Sequence, residues 1–206
     1  MTGRRSSRVG AGGRRGTAAA HSRLRITGGG LRGRRLEVPA AGVRPSSDRV
    51  RESLFARLSN LEGARALDLF AGSGALGIES ISRGASSVVF VEHSREVAAV
   101  LQSNLETLEL TDRAEVLKAD CLDALRRLGR AGQQFELLLL DPPYDAEVLI
   151  PSLEAIVAAH LLAPEALVVV ETSKRHAVLS VPGLSLVDER EYGDTRLTRL
   201  VEATCS

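Results

Sequence analysis

Asp141, Pro142, Pro143 and Tyr144 directly follow a run of apolar residues, Phe135–Leu140, that predicts a buried strand. Because prolines fix φ and carry no N–H, the turn after this strand would offer hydrogen-bond acceptors in a fixed geometry. Acceptors placed against the N–H bonds of an exocyclic amine would free its delocalised lone pair, and Tyr144 can stack on the base. The four residues therefore predict chemistry at an amino-bearing base, although they also suit a turn in which Tyr144 only packs.

A glycine-rich segment, residues 68–77, lies between a predicted strand and a predicted helix. Such a loop lets backbone N–H groups approach a nucleotide-like ligand closely. Gly72 opens a G-x-G-x-x-G pattern, and Glu92 follows at the distance expected of an acid that holds a ribose, so a dinucleotide is one candidate ligand. Asp68 disfavours it, because a carboxylate beside a pyrophosphate is unfavourable. S-adenosylmethionine, which has an ammonium, a sulfonium and no phosphate, would suit that carboxylate.

Carboxylates end four successive predicted strands, at Asp68, Glu92, Asp120 and Asp141. Ligands of open α/β sheets bind beyond the carboxyl ends of the strands, so we expect these side chains to share one site. Asp120 is equally suited to cap the helix that follows it. Ser94 is a better cap than Glu92 for the next helix along the chain, which leaves Glu92 for a ligand.

The apolar pattern alternates between strands and helices through most of the chain. Near the C-terminus, residues 184–189 and 195–201 predict two strands joined by Gly193 and Asp194 with no helix between them. The sequence therefore predicts an α/β fold, a Rossmann-like parallel sheet closed by a C-terminal antiparallel hairpin. The other predicted strands cover residues 65–70, 87–91, 114–119, 135–140 and 166–170, and predicted helices cover residues 48–59, 122–128 and 150–162.

Charge is distributed asymmetrically along the chain. Ten arginines and no acidic residue precede Glu37, which leaves 17 of the 27 Lys and Arg against 26 Asp and Glu in the remainder, a net charge of −9 there. A basic arm on an acidic body is typical of polyanion binding. Residues 1–22 have almost nothing to bury, so we expect a disordered arm. Their composition also suits a solubilising tail or, less well, a transit peptide.

Residues 23–45 predict a basic β-hairpin that precedes the sheet. Two short alternating segments flank a run of three glycines, residues 28–30. Basic residues on a defined hairpin suit contacts with phosphates, and they also suit a charged edge strand that resists aggregation. The arginines in question are Arg25, Arg32, Arg34 and Arg35.

The remaining composition narrows the class of protein. No apolar run is long enough to span a membrane, and two cysteines, Cys121 and Cys205, are too few for a disulfide scaffold. We therefore expect a cytoplasmic protein with no membrane partner. The four histidines show no spacing typical of metal ligands, so we expect no metal site.

On these residues, the chain resembles the class I S-adenosylmethionine-dependent methyltransferases, whose amino-methylating signature is similar to residues 141–144. More narrowly, it resembles the bacterial RsmD-type family, which methylates the N2 amine of one guanine in small-subunit (16S) ribosomal RNA. The resemblance runs from about residue 23 to the end and is most specific at residues 44–55. It implies the family's seven-stranded sheet, with the catalytic domain over residues 46–206. The other matching segments are residues 25–29, 68–84, 91–92 and 192–195.

The resemblance also implies roles for individual residues. Asp141, Pro142, Pro143 and Tyr144 would be catalytic and would hold the target guanine. The hairpin arginines, together with Arg44 near the mouth of the site, would contact 16S ribosomal RNA or the small ribosomal subunit. The cofactor S-adenosyl-L-methionine would contact Asp68, Phe70, Ala71, Gly72, Ser73, Gly74, Glu92, His93, Asp120 and Cys121.

Three other functions stay open on the sequence alone. The amine signature also permits a methyltransferase that acts on DNA adenine or cytosine, or on a protein glutamine. The glycine pattern permits a dinucleotide-dependent oxidoreductase, although no later segment offers hydride chemistry. The third is a non-catalytic RNA-binding factor that has kept the fold, against which the intact residues 141–144 argue.

Overall fold

The computed structural model of the protein describes residues 22–39, 48–58, 60–143, 147–176 and 180–203. Residues 1–21, which make up nearly all of the predicted disordered arm, lie outside this part. The strands are β1 (Ser22–Arg25), β2 (Arg35–Val38), β3 (Arg65–Asp68), β4 (Ser87–Val91), β5 (Ala114–Leu117), β6 (Phe135–Leu140), β7 (Leu162–Ser173), β8 (Leu184–Tyr192) and β9 (Thr195–Glu202). The helices are α1 (Asp48–Phe55), α2 (Ala75–Ser82), α3 (Arg95–Thr107), α4 (Cys121–Arg130) and α5 (Leu149–Ala158).

Seven of the strands form one mixed sheet in the order β5-β4-β3-β6-β7-β9-β8. The first five in that order are parallel, and β9 and β8 complete the sheet as an antiparallel hairpin. The chain runs outward from β3 to β5 and then returns to β6 on the other side of β3. This reversal creates a crevice at the carboxyl ends of β3 and β6, where open α/β sheets bind ligands. The predicted fold class is confirmed.

Each face of the sheet is covered by its own hydrophobic cluster. Successive side chains of a strand point to opposite faces, so Leu138 packs with α4 and α5, while its neighbours Leu137 and Leu139 pack with α1, α2 and α3. Burial on both faces explains why β6 is apolar at every position except Glu136.

The predicted basic hairpin is present as the antiparallel pair β1 and β2. Ile26 and Leu36 are each 1% exposed and belong to the cluster that contains α2 and α3. The charged side chains of the hairpin point outward, since Arg25 and Arg35, which are cross-strand partners, are both exposed. The hairpin is therefore packed onto the sheet domain through an apolar inner face.

Hydrogen bonds fix the hairpin along the length of α2. At its tip, Gly29 has a φ of 74° and lies so close to α2 that an added Cβ would come within 1.7 Å of the Ser82 carbonyl oxygen. At its open end, Asn104 of α3 joins Glu37 to the carbonyl oxygen of Ser73. Since Ser82 lies about 12 Å along the helix from Gly74, the tip points away from the glycine loop and the open end lies near it.

Helix α1 contacts both hairpins. The Arg51 side chain donates to the Arg25 carbonyl at 2.7 Å. On the other side, Ser53 Oγ and Tyr192 Oη of β8 are 2.5 Å apart, and Asp188 accepts from Arg199 and Arg57. The helix predicted over residues 48–59 ends at Phe55.

The predicted boundaries after α5 were wrong. The helix predicted over residues 150–162 ends at Ala158, because His160 has a left-handed φ of 53° and the Leu161 N–H turns back to the Ile156 carbonyl. Glycine usually provides this left-handed residue, so a histidine there gives no signal in the sequence. Strand β7 then begins at Leu162 instead of at residue 166, and its pairing with β6 is interrupted around Glu165, which has a φ of 62°.

Smaller differences occur where strands open into the crevice. The strands predicted to continue to residues 70 and 119 end at Asp68 and Leu117, and α4 is longer than the predicted residues 122–128 at both ends. The Leu69 N–H still donates to the Leu139 carbonyl at 3.0 Å, but the chain turns immediately afterwards into the glycine loop. Among the described residues, no helix combines the length and apolar character needed to cross a membrane.

Candidate active site

A cavity of about 630 Å³ lies at the carboxyl edge of the sheet, above β3, β4 and β6. The four acidic residues predicted to share a site, Asp68, Glu92, Asp120 and Asp141, all line it. The other predicted site residues on its wall are Phe70, Ala71, Gly72, Ser73, His93, Cys121, Pro142 and Pro143. The structure thus brings the glycine loop and the Asp141–Pro143 turn into one space.

One predicted cofactor residue of the described part, Gly74, does not line the cavity. Gly74 has a φ of 83° and precedes α2, and a Cβ there would come within 2.4 Å of Leu101 Cδ1. The turn and packing against α3 are sufficient to explain this glycine, and its contact with the cofactor stays a prediction. Tyr144 and Arg44 lie outside the described residues.

Asp68 ends β3 inside the protein and is 1% exposed. Its Oδ2 accepts the Gly77 N–H at 2.9 Å, whereas Oδ1 accepts no hydrogen bond from any residue that the structure describes. Burial, opposed by the Gly77 hydrogen bond and reinforced by nearby Glu92, raises the pKa of Asp68 to about 7. A buried acceptor without a donor is unfavourable, so Oδ1 is suited to a cationic or N–H donor that enters the cavity.

Glu92 follows β4 and uses both carboxylate oxygens. Oε2 accepts the Gly72 N–H at 3.0 Å, and Oε1 accepts the Ser94 N–H at 2.8 Å. The Ser94 hydroxyl caps α3 by accepting from Val97, as predicted. Glu92 is therefore held rigidly at the cavity wall by main-chain donors.

Two backbone donors of the glycine loop are thus already bonded to carboxylates. Gly72 donates to Glu92 and Gly77 donates to Asp68. A dinucleotide pyrophosphate would need such N–H groups and would meet two acids instead. Gly77 is also explained by packing, because a Cβ there would lie 2.2 Å from Phe90 Cε1.

Asp120 and Cys121 form the wall at the start of α4. Asp120 caps the helix by accepting the Leu122 N–H at 2.9 Å, so the capping role that the sequence left open is realised. Cys121 is 5% exposed and lies 3.6 Å from Ser152 Oγ, and burial raises the pKa of its thiol. A neutral thiol is a poor nucleophile, so Cys121 contributes shape and not covalent chemistry.

The Asp141–Pro143 turn leaves β6, the central strand of the sheet. Asp141 is half-buried, Pro142 is buried and Pro143 is exposed, which places the turn at the rim of the cavity. The turn can hold a planar group that enters from solvent while its inner side faces the glycine loop.

Comparisons with known proteins agree with this geometry. The sequence model of one family, described as conserved hypothetical protein 95, matches residues 24–201. The chain belongs to this family. A relative from Haemophilus influenzae named "Ribosomal RNA small subunit methyltransferase D" is 36% identical and covers 86% of this chain and 93% of its own length. A Bacillus subtilis relative named "Putative rRNA methyltransferase YlbH" is 35% identical over 84% of this chain and 95% of its own. A solved putative methyltransferase from Escherichia coli superposes with a TM-score of 0.79 at 36% identity, covering 88% of this chain and 98% of its own.

The RsmD-type resemblance is therefore confirmed. The family match begins at residue 24 and includes the basic hairpin, the glycine loop and the turn at residue 141, whereas residues 1–23 precede it. The hairpin is accordingly a feature of the family, while the arginine-rich arm is additional to it.

Sequence reasoning missed two charged residues of the cavity wall, Arg51 and Glu96. Glu96 is exposed, whereas the Arg51 side chain of α1 is 1% exposed and still borders the cavity. An arginine in an amphipathic helix, such as the one predicted over residues 48–59, is expected to lie on the solvated face. The signal in the sequence was its position within the specific block 44–55.

The four hairpin arginines predicted to contact RNA lie at different places relative to the cavity. Arg25 is adjacent to α1, 3.9 Å from Asp48, whereas Arg32 and Arg34 are at the tip, where Arg34 donates to the Thr107 carbonyl at 3.0 Å. All four side chains are exposed. They form a cationic strip that runs from the cavity side of the hairpin to its far end.

Proposed function

We propose that this protein transfers a methyl group from S-adenosylmethionine to the exocyclic N2 amine of a guanine in small-subunit ribosomal RNA. The observation that carries the proposal is that one cavity joins the open acceptor of Asp68 to the acceptor-rich turn at Asp141–Pro143. The names of the curated relatives support ribosomal RNA as the substrate.

The residues of the cavity fit the proposed donor. The ammonium of its amino-acid end would satisfy the buried Asp68 Oδ1, while Glu92 lies at the end of β4, where an acid can accept ribose hydroxyls. Phe70, Ala71 and the main chain of Gly72 would line the methionine portion, and Cys121 would border the adenine. When bound, S-adenosylmethionine supplies a methyl group that its sulfonium already makes electrophilic.

The protein's own contribution is placement and orientation of the amine. The Asp141 carboxylate and the Pro142 carbonyl would accept the N–H bonds of the guanine amine, so that the nitrogen lone pair points into the cavity. Proton loss can follow methyl transfer, so Asp141 need not be a strong base. Fixing two reactants in line is a large source of rate enhancement. The target base must leave its stack to reach the turn, which costs least in a loop or single strand.

The basic hairpin would hold the RNA around the target. Its exposed arginines face away from the apolar inner side that packs on α2 and α3. Contacts to phosphates position RNA without reading its sequence, so the choice of guanine would depend on the shape of the RNA and on the pocket.

The deciding experiment measures methyl transfer directly. Purified protein is incubated with tritiated S-adenosylmethionine and small-subunit ribosomal RNA, free or in subunits, from a strain that lacks the gene. Mass spectrometry of the digested nucleosides should detect N2-methylguanosine. Label in DNA or protein instead, with unlabelled RNA, would overturn the RNA assignment, and stabilisation by NAD but not by S-adenosylhomocysteine would overturn the donor.

A further inference from the structure

Arg51 is a buried cation on the wall of the cavity. Its side chain is 1% exposed, and one guanidinium nitrogen donates to both the Arg25 carbonyl and Asp48 Oδ1, each at 2.7 Å. Asp48 itself is 42% exposed, so this ion pair is partly in contact with solvent. On its inner side, Arg51 borders the same space as Asp68.

Burying a guanidinium is unfavourable unless hydrogen bonds and opposite charge compensate for it. The bonds to Arg25 and Asp48 also fix the orientation of the planar group, because arginine donors form a rigid fork. A guanidinium held in this way is a preorganised cation, and a carboxylate is a group that such a cation binds strongly. A purely structural role would require only these two bonds, and it would not require Arg51 to border the cavity.

The lining of the cavity therefore includes a buried acid and a buried guanidinium. Asp68 offers an open carboxylate oxygen, and Arg51 offers a fixed positive charge. A group that matches both carries an ammonium and a carboxylate, and the head group of an α-amino acid carries the two on one carbon. The adenine and ribose of a nucleoside carry neither charge.

We propose that Arg51 binds the α-carboxylate of the methyl donor while Asp68 binds its ammonium. This inference rests on the proposed function for the identity of the donor. It assigns Arg51 to substrate recognition, and it explains why a charged residue occupies the buried side of α1 next to Val50 and Leu54.

The test compares two ligands that differ only at the amino-acid end. S-adenosylhomocysteine has this end, and 5′-methylthioadenosine keeps the adenosine and the sulfur but lacks it. Calorimetry with wild type, Arg51→Gln and Arg51→Lys gives the dissociation constants of both. We expect Arg51→Gln to weaken S-adenosylhomocysteine by about ten- to a hundredfold, the range for loss of a charge-assisted bond, and 5′-methylthioadenosine by less than about twofold.

Two control variants separate recognition from structure. Arg49→Gln removes an exposed arginine of the same helix and should leave both affinities unchanged. Asp48→Asn weakens the bond that holds Arg51 but leaves its charge, so it should alter the preference between the two ligands less than Arg51→Gln does. If Arg51→Gln does not fold, Arg51→Lys decides, and we expect it to reduce the preference for S-adenosylhomocysteine several-fold.

The outcomes are distinguishable. Equal weakening of both ligands by the Arg51 variants, or no weakening, overturns the role of Arg51 and leaves the proposed function intact. Failure of wild type to bind either ligand overturns the proposed donor itself. A selective loss of S-adenosylhomocysteine affinity supports both.

Discussion

Burial of Asp68 makes the cavity sensitive to pH near neutrality. Its pKa is raised to about 7, primarily by burial, so around pH 7 the ligand-free protein contains both the acid and the carboxylate at this position. Only the carboxylate attracts an ammonium, and a bound cation would favour ionisation. Binding of the donor should therefore release a proton from Asp68.

The first prediction concerns this proton. Affinity for S-adenosylhomocysteine should rise by about tenfold per pH unit up to about pH 7 and then level off, and Asp68→Asn should bind weakly with no such slope. Calorimetry in buffers of different ionisation enthalpy measures both affinity and proton release. Because the folded pKa is raised, the contribution of Asp68 to the stability of the ligand-free protein is present below its ordinary pKa and is lost as pH rises through 7. An equal pH slope in Asp68→Asn would contradict this account.

The second prediction separates the target turn from the donor site. Asp141→Ala should abolish methyl transfer, because the guanine amine loses an acceptor, while the dissociation constant for S-adenosylhomocysteine changes by less than about threefold, since the donor contacts at Asp68 and Glu92 are retained. Asp112→Ala, at an exposed turn before β5, is the matched control. Loss of S-adenosylhomocysteine binding in Asp141→Ala would assign this residue to the donor instead.

At the residue scale, the sequence was most informative where chain position alone fixed the environment. Asp68 was predicted at the site because an acidic residue at the end of a strand, beside a glycine loop, is suited mainly to binding a ligand. Arg51 was missed because its burial depends on α1 packing under the Arg25 carbonyl, a contact between segments distant in sequence. The sequence pattern cannot distinguish a glycine required for contact with a ligand from one required for packing, and Gly74 has a packing reason in Leu101.

Glu79 of α2 is the main anchor of the basic hairpin. It is 1% exposed and accepts from the Thr27 N–H, the Thr27 hydroxyl, the Gly28 N–H and Arg83 Nε, all within 2.7–2.8 Å. A buried carboxylate with four donors holds the hairpin more firmly than its short strands could. The hairpin and α2 should therefore behave as one rigid unit.

The third prediction tests this anchor. Glu79→Gln replaces one acceptor with a donor that faces other donors, at a cost of about 1–3 kcal/mol. Hydrogen exchange of residues 22–38 should become faster, while exchange in β3 stays slow and S-adenosylhomocysteine affinity is unchanged. The Michaelis constant for RNA should rise more than kcat falls. Unchanged exchange in the hairpin would remove Glu79 from this role.

The fourth prediction concerns the outer surface of the hairpin. Reversal of charge at Arg32, Arg34 and Arg35 should weaken RNA binding and reduce the slope of affinity against salt concentration, because fewer phosphate contacts release fewer counterions. The matched control reverses Arg126, Arg127 and Arg130, three exposed arginines on α4. Filter binding over a range of salt measures both slopes. Equal effects of the two triple variants would show that RNA binding depends on the net charge of the protein and not on the hairpin surface.

At the element scale, prediction from the sequence succeeded where the period of the apolar pattern and the length of the segment indicated the same type of element. The strands over residues 87–91 and 135–140 were predicted with the bounds that the structure has. The region after α5 failed because His160 and Glu165 take left-handed conformations that only tertiary contacts specify. Local propensity contains no information about such residues.

In the molecule as a whole, α1 joins the two ends of the described chain. It is bonded to the N-terminal hairpin through Arg51 and to the C-terminal hairpin through Ser53 and Arg57. In the latter contact, hydrogen bonding from Arg199, together with the charges of Arg199 and Arg57, lowers the pKa of Asp188. The helix thus completes the cavity wall while depending on both hairpins for its position.

The fifth prediction follows from that dependence. Asp188→Asn should lower the free energy of unfolding by about 2 kcal/mol at neutral pH, the range for hydrogen bonds to a charged group. Because the folded pKa is lowered, this contribution is present above the ordinary pKa of an aspartate and is lost as pH falls below it. Urea unfolding between pH 7 and pH 3 should therefore show a difference between the variants that becomes smaller as pH falls through the lowered pKa, and a difference that does not change with pH would contradict the charge argument.

The attachment of the basic hairpin consists largely of main-chain atoms on the hairpin side. Arg51 reaches a carbonyl at position 25, Glu79 reaches the N–H groups of positions 27 and 28, and Asn104 reaches both main-chain groups of position 37. The outward side chains at positions 25, 35 and 37 can therefore be exchanged without loosening these bonds. Substitutions of these side chains, in evolution or in design, could change which nucleic acid the protein binds while the attachment of the hairpin and the cavity stay intact.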